Sequence, residues 1–233
     1  EGQLISSVLS KKVAAGSNHV VIDIPIGETA KLRNIEAAVL LKNEMEKVAH
    51  SIGLKIKVVF TVGTQPIGRG IGPTLEARDI LSVLKNETTA PSDLKDRALL
   101  LAGELLELSG KALQGKGNAI AKKILESGKA FEKFKNICEA QGGFREPGIA
   151  KYQHEIRAGH KGTISIIDNR KLAKLAKLAG APENKKSGID FLTPLGTKVE
   201  KGETLYVIHS ESKAELNYAL EYLNTQTNIL TIK

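Results

Sequence analysis

Two β-branched runs constrain this chain more than any other feature: Val20–Ile26 (VVIDIPI) and Ile56–Val62 (IKVVFTV). Runs so short and so apolar suit strands buried on both faces, as in parallel sheets. Parallel neighbours need a crossover of about a dozen residues or more, usually a helix. Asn34–Ser51 supplies one, with Ile35, Ala38, Met45, Val48 and Ala49 as its predicted inner stripe. A glycine-dense loop, Gly63–Gly72 (GTQPIGRGIG), then leads into a helix predicted over Pro73–Lys85. This alternation predicts an α/β fold, part of a parallel β/α sheet domain with helical cover.

The flanks read differently. Leu4–Ala15 spaces Leu4, Val8 and Leu9 as a helix does, and Gly16-Ser17-Asn18 ends it. From Ser92 the chain is helical, with Leu94, Ala98, Leu101, Leu105 and Leu108 as a predicted packing seam. Gly115-Lys116-Gly117 breaks the pattern, and two amphipathic stretches run on to Gln141. Gly142-Gly143 and Pro147-Gly148 mark a joint between residues 17–150 and residues 151–233. Beyond it lie a strand at Gly162–Asp168, a helix at Leu172–Ala179, and two strands within Leu192–His209 joined by a glycine-flanked turn. A capping box, Ser212 to Glu215, opens a further helix, and Asn228–Ile232 closes as a strand. This last portion predicts an α+β module.

Composition excludes several classes of function. The 233 residues contain no apolar run approaching the roughly 20 needed to span a bilayer. The opening Glu1-Gly2-Gln3-Leu4 shows no basic secretory n-region, and Cys138 is the single cysteine, so a reducing, cytoplasmic setting is expected. Aromatics are 4% and Trp is absent, which argues against stacking platforms for nucleic acid. The net charge of +8 concentrates in residues 151–186, where nine Lys/Arg face three Asp/Glu. Without interleaved aromatics this segment reads as a solvated lysine-rich face. The five histidines (19, 50, 154, 160 and 209) fit no metal spacing, and Cys138 has no base nearby in sequence.

Three segments can carry chemistry. Ser7 and Lys11 stand four apart on the first helix and so share a face, where a hydroxyl and an ammonium could grip a polar planar ligand. Asp23–Lys31 (DIPIGETAK) leaves the carboxyl end of the first strand, the place where open α/β sheets bind ligands, and Lys31 brings a phosphate-seeking charge there. The glycine loop could cradle phosphate or expose carbonyls to a cation, although no Gly-Lys-Ser/Thr makes it a Walker loop.

These same residues resemble a known family. The strings SSVLSKKVAAG (Ser6–Gly16), VVIDIP (Val20–Pro25) and TQPIGRGIGPTLEARD (Thr64–Asp79) look like the thymidine/pyrimidine nucleoside phosphorylases. The IPIGETAK and QPIGRGIGPTLEARD versions resemble the archaeal AMP phosphorylase branch. The resemblance spans essentially the whole chain. It implies that residues 1–16 belong to an all-α domain that contacts the base and mediates dimerisation. It implies that Ser7 and Lys11 meet the nucleobase and that Lys31 meets the nucleotide. It implies a potassium site at Ile67, Gly70 and Asp79, with no other cofactor. It places the general acid just upstream of Glu1, so that none is expected in this chain, which resembles a C-terminal portion inactive alone. The implied substrates are inorganic phosphate and a nucleoside 5′-monophosphate (AMP, CMP or UMP), giving free base and ribose 1,5-bisphosphate. The implied assembly is a homodimer or larger homo-oligomer, without membrane or nucleic acid.

Two rivals stand beside this reading. One is a thymidine/pyrimidine nucleoside phosphorylase. The other, of another class, is a non-enzymatic module that binds nucleic acid or carries a lipoyl-like group, for GTKVEKGETLYVIH (Gly196–His209) resembles a lipoyl-type hairpin. That hairpin lacks the Met-Lys-Met or Asp-Lys-Ala turn at which such carriers are modified.

Overall fold

The two β-branched runs lie side by side as parallel strands in the computed structural model, which describes residues 2–226 and 228–233. Glu1, where the expected all-α portion starts, is outside the described residues. Strand β1 (His19–Ile26) pairs with β2 (Lys55–Val62), setting Asp23 opposite Val59 and Ile26 opposite Val62. Helix α1 (Gly2–Ala14) precedes them, and α2 (Ile35–Ser51) makes the crossover. Asn34 caps α2, its side chain accepting from the Ala37 N–H at 2.9 Å. Ala38, Leu41, Met45 and Ala49 of α2 are buried with Ile5, Leu9, Val20, Ile24 and Val58. Ile35 and Val48, expected inside, are exposed. The buried stripe steps three, four and four through Leu41, and Ile35 and Val48 fall to either side of it.

These elements belong to a first unit, residues 1–63 with 96–127. Helix α4 (Ser92–Leu108) enters it at Asp96, and α5 (Gly117–Glu126) follows. The expected leucine seam of α4 is not its buried face: Leu99 and Gly103 are buried, whereas Ala98 and Leu105 are exposed. Glycine sets the face here. A Cβ on Gly117 would stand 2.1 Å from the Gly103 carbonyl oxygen, so the two helices meet backbone to backbone.

The second unit holds residues 64–95 and 128–233. The glycine loop belongs to it, and the chain passes between the units after residues 63, 95 and 127. Within the loop, β3 (Gly70–Ile71) adds an edge to a four-stranded sheet ordered β3-β6-β8-β4, with β4 Tyr152–Arg157, β6 Gly188–Phe191 and β8 Thr204–Ser210. A three-stranded sheet, β7-β5-β9, joins Lys198–Val199, Gly162–Ile167 and Leu230–Ile232. Helices α3 (Pro73–Leu84), α6 (Lys129–Ala140), α7 (Asn169–Leu178) and α8 (Lys213–Thr225) complete the unit. Its core collects Ile164, Leu172, Leu175, Ile189, Phe191, Tyr206 and Ile208.

The expected hairpin does not form. β7 pairs with β5, while β8 pairs with β6 and β4. Most of β8 is buried, and its backbone needs ladders on both edges, which a two-residue neighbour could not supply. The capping box is half made. Ser212 caps α8 by accepting from the Glu215 N–H, but Glu215 takes a hydrogen bond from the Asn184 amide at 2.6 Å.

Candidate functional site

The first group of candidates lies in the first unit. Ser7 and Lys11 are exposed one turn apart on α1, with Lys11 in the last turn, where a cation suits the helix dipole. They do not line the apolar groove of about 770 Å³ between α1 and α2, which is formed by Ile5, Leu9, Val13, Val48 and Ile52 with Ser6 and Ser10. Lys31 is exposed on the loop after β1. That loop is closed at its base: Gly27 donates to the Leu32 carbonyl at 3.1 Å, and Ile26 bridges Leu32. Among the described residues no hydrogen bond or ion pair joins Lys31 to Ser7 or Lys11.

Beneath this loop lies a cluster that sequence reading missed. Asp23 accepts from Thr61 Oγ1 at 2.5 Å and from Arg97 Nη1 at 2.8 Å, and Arg97 Nη2 donates to the Val62 carbonyl at 3.0 Å. Lys57 pairs more loosely with Glu104, at 3.5 Å. The β1–β2 pair therefore has an apolar face toward α2 and an ionic face toward α4. Asp23 and Arg97 are 74 positions apart, and no local pattern announces such a pair.

The second group is in the second unit. Asp79 Oδ2 accepts from the Arg69 and Gly70 amides at 2.6 and 2.7 Å, closing the glycine loop on α3. Gly68 makes this possible: its φ is +76°, and a Cβ there would lie 2.6 Å from Asp79 Oδ2. A phosphate cradle is not formed at the start of α3. The Gly72 amide donates to Glu76 Oε1 and the Thr74 amide to the Lys185 carbonyl, so amides an anion would use are taken. Of the residues expected to hold potassium, Gly70 and Asp79 are joined by the hydrogen bond from the Gly70 amide; oxygen donors are what a hard cation takes.

Asp79 also lines a cavity of about 380 Å³ with Arg69, Arg78, Lys85, Glu146 and Asp190. Burial, reinforced by the Asp79 carboxylate, raises the Asp190 carboxyl above its usual range. Arg78 donates to the Gly148 carbonyl at 2.5 Å, and Lys85 pairs with Glu146 at 3.2 Å. On β8, buried His209 has no hydrogen-bond partner for either ring nitrogen, and burial together with Arg78 lowers its pKa. Among the described residues, no three His, Cys, Asp or Glu side chains are grouped to hold a metal, and no helix is long and apolar enough to cross a membrane.

Comparison with known proteins adds a direction. Residues 163–230 match the pyrimidine nucleoside phosphorylase C-terminal domain. The similarity is to nucleoside phosphorylases. A Legionella pneumophila (strain Corby) protein, provisionally named thymidine phosphorylase, is 55% identical over 232 residues, covering 100% of this chain and 45% of its own length. A Hahella chejuensis protein under the same provisional name is 54% identical over 233 residues, covering 100% of this chain and 46% of its own length. The chain therefore spans about half the length of the curated relatives it matches. These relatives are bacterial, so they lend no support to an archaeal branch.

Proposed function

We propose that this chain is part of a phosphorylase that cleaves the N-glycosidic bond of a nucleoside 5′-monophosphate with inorganic phosphate. The products are free base and ribose 1,5-bisphosphate. The observation that carries the reading is Lys31: an exposed cation on a loop closed at its base, at the carboxyl end of a parallel strand. Phosphorolysis passes through an oxocarbenium-like state, in which negative charge gathers on the departing base. In this reading Ser7 and Lys11 receive that base, and Lys11 stabilises the developing charge. Lys31 holds the 5′-phosphate, a remote group whose binding energy positions the sugar. Ile67 and Gly70 carbonyls, with the Asp79 carboxylate, hold potassium and stiffen the loop. The general acid comes from outside these 233 residues, and the working assembly is a cytoplasmic homodimer or larger homo-oligomer.

The second reading, a thymidine or pyrimidine nucleoside phosphorylase, is favoured by the provisional names of the relatives. Phosphate-dependent release of base from AMP, CMP, UMP and thymidine, measured side by side with the full-length gene product, separates the two. The proposal expects turnover of a monophosphate to exceed that of thymidine. It also expects Lys31→Ala to raise KM for the monophosphate about tenfold or more, the scale of a charge-assisted hydrogen bond, while leaving an unphosphorylated nucleoside unaffected. Equal losses on both substrates would leave the nucleoside reading in place.

A further inference from the structure

We infer that Asp23, Thr61 and Arg97 act as a positioning cluster for the loop that bears Lys31. The inference rests on the role proposed above for Lys31. Both oxygens of Asp23 are engaged, one by Thr61 of β2 and the other by Arg97 of α4. The side chains of Arg97 and Asp23 are only 15% and 21% exposed, so solvent and salt screen the pair little. Arg97 spends its second nitrogen on the carbonyl of Val62, the last residue of β2. The next residue, Gly63, donates to the Ile26 carbonyl at 2.8 Å, and a Cβ on Gly63 would lie 2.9 Å from Pro25 Cβ. Ile26 bridges Leu32, whose neighbour is Lys31.

From the guanidinium to Lys31, each step is therefore a hydrogen bond, a β-bridge or a peptide bond. Lysine reaches its target through a flexible four-carbon stem, so its aim depends on the backbone that carries it. A displacement of about 1 Å at such a base is enough to misplace a ligand group. The plainer role, fastening α4 to the sheet, is shared by the Lys57–Glu104 pair, whose Lys57 stands five residues before Val62 on β2. Glu104→Gln is for that reason the control.

Two measurements on the full-length gene product test the cluster. In the first, hydrogen exchange of the Gly27 amide, bonded to Leu32, quickens about tenfold in Thr61→Val and in Arg97→Lys but not in Glu104→Gln. Unchanged Gly27 exchange in both cluster variants would overturn the inference. In the second, the same variants raise KM for AMP about tenfold with kcat held within about twofold, and leave KM for adenosine unchanged. In a Lys31→Ala background they add nothing further. Equal effects on AMP and adenosine, or full additivity with Lys31→Ala, would show a structural brace and reject positioning. Faster Gly27 exchange with no selective effect of Lys31→Ala would instead sink the nucleotide reading and keep the cluster as the loop's anchor.

Discussion

The two units are stabilised in opposite ways. The second buries a broad apolar core beneath sheets of four and three strands, and its polar groups are drawn into loop closures such as Asp79 with Arg69 and Gly70. The first has a two-stranded sheet, apolar on the side of α2 and ionic on the side of α4. Its three substrate candidates, Ser7, Lys11 and Lys31, are all exposed. A large core gives rigidity that few single changes disturb locally. A small sheet braced by charge can hold a loop in place, yet it depends on individual side chains. The three substrate candidates sit with the second kind of construction.

The contrast can be broken by core truncation. Phe191→Ala, in the second unit, is expected to cost about 3–5 kcal/mol in chemical denaturation and to leave Gly27 amide exchange unchanged below the global transition. Accelerated local exchange at Gly27 would mean that the units are not separately stabilised. A smaller effect is expected from Gly117→Ala in the first unit, where the new methyl meets the Gly103 carbonyl. Overpacking of this sort costs about 1–3 kcal/mol, read from the denaturation midpoint. An unchanged midpoint would mean that α4 and α5 part easily.

The smallest change is expected along the pH axis. Burial and Arg78 hold the His209 imidazole below its ordinary 6.5, so the folded chain binds fewer protons than the unfolded one. Stability from this residue is intact above pH 6.5 and is lost as pH falls through the lowered folded value. His209→Leu should flatten that acid limb in thermal unfolding and should raise stability slightly at neutral pH, since both ring nitrogens lack partners. An unaltered acid limb would place the titrating group elsewhere.

Much of the fold was legible. Hydrophobic period and glycine punctuation located β1, α2, β2 and α3 to within a residue or two, because those signals are local. The errors came where the decisive partner was distant. Leucine spacing in α4 pointed to a seam, but the close approach of Gly103 and Gly117 chose another face. The Gly196–His209 segment carried hairpin punctuation, but β8 found longer neighbours in β4 and β6. The exposed candidates Ser7, Lys11 and Lys31 stood out through motif resemblance, whereas Arg97, which supports one of them, had no sequence signal. Its meaning comes from a carboxylate 74 residues away.

A sheet of two parallel strands has a particular consequence. Among the described residues no third strand pairs with β1 or β2, so each has an outer edge without a strand neighbour, covered only in part by Arg97 at Val62 and by the Ile26–Leu32 bridge. Parallel strands are ordinarily sealed inside wider sheets, and bare rims of this kind template stray pairing. Expressed by itself, this polypeptide should therefore self-associate through the rims of its first unit, and solubility would report on them before catalysis could.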